Sequence, residues 1–185
     1  MALLDFRKWA KFRELDRKNR ALLDEPDASA YAAADKATWL VSRACHCVRE
    51  GSHKKAADDF RATIRVKPDW GPAYGGLAHV LNIKGDFKAA ITLLDNAPAV
   101  VQVAGDSIRL PTWEYDFHRA YAYRGLGDSA EARAHARRAL DALDSPEWRN
   151  MEKQSLRAAT LGHHYADMKD LVIETLRAII DETVR

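Results

Sequence analysis

Residues 74–97 read YGGLAHVLNIKGDFKAAITLLDNA, and their spacing decides the fold. Tyr74, Leu77, Ala78 and Leu81 recur at helical intervals, Gly85-Asp86 interrupts them, and Phe87, Ala90, Ile91, Leu94 and Ala97 resume the pattern. Two apolar helical faces joined by one glycine turn predict a helical hairpin. Ala78 and Ala90 are small enough to let its helices approach closely, and Gly85 supplies the left-handed conformation that ends the first helix.

The same hairpin recurs on both sides. A shift of 34 residues places Gly51 over Gly85, Ala56 over Ala90, Ala44 over Ala78 and Leu40 over Tyr74. A shift of 42 places Ala120, Gly127, Asp128, Ala132 and Ala139 over Ala78, Gly85, Asp86, Ala90 and Ala97, so eight extra residues fall between the second and third copies. Pro68 closes the second helix of the first copy.

These residues resemble the tetratricopeptide repeat (TPR) family, whose 34-residue pattern runs aromatic, Leu-Gly, Tyr, Ala, Phe, Ala, Pro. The middle copy offers Tyr74, Leu77-Ala78, Leu81, Ala90, Leu94 and Ala97, and the first offers Leu40, Ala44, Cys47, Ala56, Phe60 and Pro68. In the third stand Ala120, Tyr123, Ala132, Ala136 and Ala139. The departures are Arg43 and Thr63 in the first copy and Asp116 and Arg119 in the third. The resemblance implies an all-α, right-handed superhelix of about three antiparallel helix pairs over residues 37–144, at 37–70, 71–104 and 113–146. Its first helices would line a concave surface that holds a peptide or helix of another protein. Residues 1–36 would form an N-terminal helical cap and residues 145–185 a C-terminal one.

Composition agrees with a soluble globular chain. Of 185 residues, 29 are Lys or Arg and 27 Asp or Glu, a net charge of +2, with 47% hydrophobic and 30% charged residues. One small repeat array can bury its core at this length. Mixed charge near neutrality argues against a nucleic-acid binder. No run approaches the roughly 18 apolar residues of a membrane span. Cys45 and Cys47 point to different faces of a helix, which forbids a mutual disulfide and fits a reducing, cytoplasmic location.

In the leading segment, Leu4, Trp9, Phe12, Leu15, Leu22 and Leu23 share an arc of roughly 140°, beside a basic row of Arg7, Lys11 and Lys18. This reads as a helix docked on the first repeat; the alternative is a peripheral membrane or assembly factor anchored through that basic helix. Ser145-Pro146-Glu147 starts a further helix. From Tyr165 onward, Met168, Val172, Ile173, Leu176, Ile179, Ile180 and Val184 face one way and Asp167, Asp170, Glu174, Arg177 and Asp181 the other, the pattern of a cap or of a homodimer seam. Within the insertion, Pro98 to Pro111, Val101, Val103, Ile108 and Leu110 alternate around Ala104-Gly105-Asp106-Ser107, a hairpin pattern that predicts a segment covering or flanking one end of the groove.

Chemistry-bearing motifs are sparse. Residues of Cys45-His46-Cys47 lie about 100° apart on a helix and do not converge on one ion, and His163-His164 fails in the same way. No phosphate-binding loop, dinucleotide fingerprint, nucleophile elbow or kinase set occurs. Repeat register brings one Cys and His together, Cys45 and His79, without an orienting acid. The TPR variant that grips a C-terminal carboxylate uses Lys and Asn on its first helices; here Val41, Cys45, Gly76, Glu114 and His118 stand at those positions.

The reading is therefore a non-enzymatic adaptor or chaperone-like module, with no cofactor, no metal and no nucleic acid. The resemblance places a protein-binding groove on Val41, Cys45, Val48 and Arg49 from the first copy, Gly75, His79 and Asn82 from the second, and Phe117, Tyr121 and Arg124 from the third. Aliphatic, aromatic and amide groups with two arginines suit a segment with apolar anchors and some acid.

Overall fold

The same three-residue device ends the first helix of every hairpin. Gly51, Gly85 and Gly127 have φ of 71°, 78° and 79°. The next residue's N–H reaches back to the carbonyl of Cys47 (2.8 Å), Leu81 (2.9 Å) and Tyr123 (2.9 Å), and each glycine N–H donates to Val48, Asn82 and Arg124. This pair of bonds satisfies carbonyls that a helix end leaves open, and it requires a residue content in the left-handed region. Ser52, Asp86 and Asp128 then cap the second helices, their carbonyls accepting from Ala56, Ala90 and Ala132.

A computed structural model describes residues 30–98, 100–103, 106–109, 113–146 and 162–182. The helix expected over residues 1–25 and most of the one expected after Ser145 lie outside these. The chain divides into two compact units, Met1–Pro68 and Asp69–Arg185. In the first, helix α1 (Ala30–Arg49) pairs with α2 (His53–Val66). The second holds α3 (Gly71–Ile83), α4 (Phe87–Asp95), strands β1 (Val100–Val103) and β2 (Asp106–Arg109), α5 (Trp113–Gly125), α6 (Ser129–Leu143) and α7 (Gly162–Glu182).

In the first unit, α1 buries Ala37, Leu40 and Ala44, while α2 buries Ala56, Ala57, Phe60 and Thr63. Thr63, where an alanine is expected, satisfies its hydroxyl inside its own helix by donating to the Asp59 carbonyl at 2.9 Å. Arg43, where a leucine is expected, forks onto the half-buried pair's acid: Nε reaches Asp59 Oδ2 at 2.7 Å and Nη2 reaches Oδ1 at 2.5 Å. Its guanidinium also lies over the Trp39 ring, 4.3 Å from the centroid. A bidentate, ring-stacked arginine holds two helices where a leucine would otherwise pack.

In the second unit, α3 pairs with α4 and α5 with α6, α5 packs on both α3 and α4, and α7 covers α5 and α6. The repeat alanines Ala78, Ala90, Ala120, Ala132, Ala136 and Ala139 are all buried. Val172, Leu176 and Ile179 of α7 join Trp113, Ala120, Ala136, Ala139 and Leu143 in one core, with Ile173 and Ile180 against its edge. Among the described residues, Val172, Ile173, Leu176, Ile179 and Ile180 of this helix are thus spent on its own chain, while Leu171 is exposed.

The insertion is an antiparallel hairpin in which Val100 faces Arg109, Val101 faces Ile108, Gln102 faces Ser107 and Val103 faces Asp106. The second strand starts at Asp106, inside the stretch that the apolar alternation assigns to the turn, because backbone pairing does not require apolar side chains. β1 runs against α3.

The third copy's departures also pair. Asp116, in the aromatic position, is buried and lies 2.6 Å from His135 Nδ1. Arg138 Nη2 reaches the same ring nitrogen at 2.7 Å, so His135 Nδ1 sits between the acid and the guanidinium. Arg138 Nε donates to the same oxygen at 3.5 Å, and His135 stacks on Tyr123 at 5.3 Å between centroids. Arg119 joins α5 to α4 through Asp95, Nη2 to Oδ1 at 2.9 Å.

Candidate functional site on the first helices

Helical spacing sets two parallel rows on α3 and α5. On α3 they are Gly75, His79 and Asn82; on α5 they are Glu114, Phe117-His118, Tyr121 and Arg124, each a turn from the last. Where the helices meet, the rows interlock. A side chain at Gly75 would collide with the Glu114 carboxyl group, so the missing Cβ is what admits the acid. One turn further, the His79 and His118 rings lie 5.7 Å apart. At the next level Asn82 Nδ2 donates to the His118 carbonyl at 2.9 Å. Tyr115 ties the other side of α5 to the start of α3, its hydroxyl donating to the Gly71 carbonyl at 3.1 Å.

Loss of water governs the charges along this seam. Burial pushes the half-buried Glu114 carboxyl up to about 7 from its ordinary 4.5. Burial, with His79 alongside, pulls the His118 imidazole down to about 3, so this ring stays neutral at physiological pH. Tyr115 is raised, first by burial and then by Glu114 and Tyr74, with Arg119 opposing.

The expected groove residues separate by depth. His79, Tyr121 and Arg124 are exposed, and Phe117 is half-buried with part of its surface on the α5–α6–α7 core. Asn82 and Gly75 are corrected: both are buried and serve the α3–α5 contact rather than offering a surface. On α1, Val41 and Val48 are half-buried while Cys45 and Arg49 are exposed. Cys45 belongs to the first unit and His79 to the second. Besides Tyr121 (40% exposed), two further exposed apolar residues, Ile83 (46%) and Leu126 (42%), stand at the helix ends next to the hairpin turns. Glu114 and His118 were visible only as departures from a carboxylate-gripping pattern. The readable signal was Gly75-Gly76 inside a helix, which marks a close approach.

Among the described residues there is no group of three or more His, Cys, Asp or Glu placed to hold a metal ion. No helix of the described residues is long and apolar enough to cross a membrane.

Solved structures share this architecture. The chain is similar to a TPR-like protein from Chlorobium tepidum, with a TM-score of 0.56 and 17% identity over 83% of this chain and 97% of that one. It is also similar to the Yersinia enterocolitica type III secretion translocator chaperone SycD, with a TM-score of 0.53 and 17% identity over 77% of this chain and 92% of that one. No family model and no curated protein matches the sequence. The fold is a TPR-like helical repeat, here with a β-hairpin inserted between the second and third helix pairs.

Proposed function

We propose that this protein is a non-enzymatic interaction module, adaptor or chaperone-like, that binds a peptide or helix of a partner protein on its first helices. The observation that carries this reading is the contrast between the faces of α5. One face is closed by alanines and the α7 core, while the other presents Tyr121, Arg124 and, at its end, Leu126. Tyr and Arg are the residues that most often dominate an interface, and the exposed Tyr121 ring offers it an apolar anchor. Likeness to a translocator chaperone supports a protein partner without naming one.

In the first unit the corresponding face is Val41, Cys45, Val48 and Arg49. For a homodimer through the C-terminal helix, Leu171, 63% exposed, is the exposed large apolar residue among the described ones, since Val172, Leu176 and Ile179 are covered. The test is a double variant, Tyr121→Ala with Arg124→Ala, at positions whose side chains lie outside the core. It keeps the wild-type melting temperature and loses partner capture. A variant that melts normally and captures every partner of the wild type removes this surface from the account.

A further inference from the structure

Two acceptors along the seam between α3 and α5, the Glu114 carboxyl group and Asn82 Oδ1, are left unmatched by the described residues. Glu114 has lost much of its water yet no described side chain donates to it or pairs with it. Glu114 stands at the partial positive end of α5, and its carboxyl is still less comfortable ionised than in water. Asn82 repeats the situation two turns along α3. It is 5% exposed, its amide nitrogen is committed to the His118 carbonyl, and its Oδ1 has no donor. The bond from Nδ2 fixes which end of the amide is left unmatched, so the free atom is an acceptor. Between the two, His118 is a neutral ring.

We infer that the first-helix surface selects partner segments carrying a lysine or arginine that seats on the Glu114 carboxylate above Gly75. The inference rests on the groove reading above and adds the partner's chemistry to it. A cation restores to Glu114 the stabilisation that burial removed, and it does so where screening by water is weakest. Gly75 is the structural requirement: with any side chain there the carboxyl group would be displaced from the seam.

The apolar anchor lies at a fixed distance. Glu114 and Tyr121 are two turns apart on α5, about 10 Å along its axis. An extended segment covers that with about three residues and a helical one with about seven. The recognised segment therefore carries its basic residue and its apolar residue at one of these spacings. This departs from the expectation of an acidic ligand: Arg124 lies exposed at the far end of the row, while Glu114 is half-buried.

The experiment selects a phage-displayed library of random peptides on the full chain. Enriched peptides are then resynthesised with a fluorophore, each with its basic residue and with norleucine in its place. They are titrated against wild type, Glu114→Gln and Tyr121→Ala. The expected result is enrichment of Lys or Arg at one of the two spacings from an apolar residue, and binding about tenfold tighter than the norleucine peptide. That advantage disappears on Glu114→Gln, while Tyr121→Ala weakens both peptides alike. Peptides that need Tyr121 but bind equally well with norleucine overturn the cation inference and leave the groove standing. Selected peptides indifferent to Tyr121→Ala, or a selection that yields no binders, overturn the groove reading and the inference with it.

Discussion

Replacing Glu114 with glutamine should stabilise the protein at pH 8 and change little at pH 5. The folded carboxyl titrates near 7 and the unfolded one near 4.5, so between these values the folded state holds more protons. Stability therefore falls as pH rises through that window, and the cost is fully present above about 7. The interval from 4.5 to about 7 corresponds to roughly 3 kcal/mol at about 1.4 kcal/mol per pH unit, an upper bound for a carboxyl with some contact to water. Glutamine keeps the shape over Gly75 and removes the charge. Urea unfolding of both proteins at several pH values isolates the effect, since every other titrating group is common to the pair and cancels in the difference. A stability difference that stays flat from pH 5 to pH 8 would refute the burial argument for this carboxyl.

Three further perturbations test neighbouring parts of the account. His118→Gln should flatten the acid limb: the native ring resists protonation until about pH 3 while the unfolded ring takes a proton near 6.5, so wild type loses stability across that window as pH falls; parallel acid limbs in urea unfolding would count against it. Gly85→Ala forces a β-carbon into a φ of 78° and should cost about 1–2 kcal/mol by urea unfolding, an unchanged midpoint being the contrary result. Ala78→Leu overfills a fully buried contact between paired helices and should cost about 1–3 kcal/mol, with unchanged melting as the outcome that would displace the repeat register.

Those parts of the fold that obey a local rule were legible in sequence. A glycine that must adopt positive φ leaves the same mark at 51, 85 and 127, and an alanine that must admit a neighbouring helix leaves its mark at 44, 78 and 120. Arg43, Asp116 and Arg119 were equally visible but only as misfits, because each is explained by a partner on another helix: Asp59, His135 and Asp95. Their partners stand 16, 19 and 24 residues away, beyond any helical periodicity. Depth was the weakest inference. Asn82 occupies an outward register position, yet α5 approaches so closely at Gly75 and His118 that the amide is buried. Glu114 became a candidate only when its carboxyl was found over a glycine on the neighbouring helix, a relation that no single-helix pattern contains.

Site-specific photo-crosslinking tests the central claim, that partners bind on the first helices, most directly. A photoreactive residue placed at Tyr121 is compared with one at Arg137, which is exposed on α6. Partner crosslinks from position 121 and none from position 137 are predicted, whereas crosslinks from 137 with none from 121 would contradict the account.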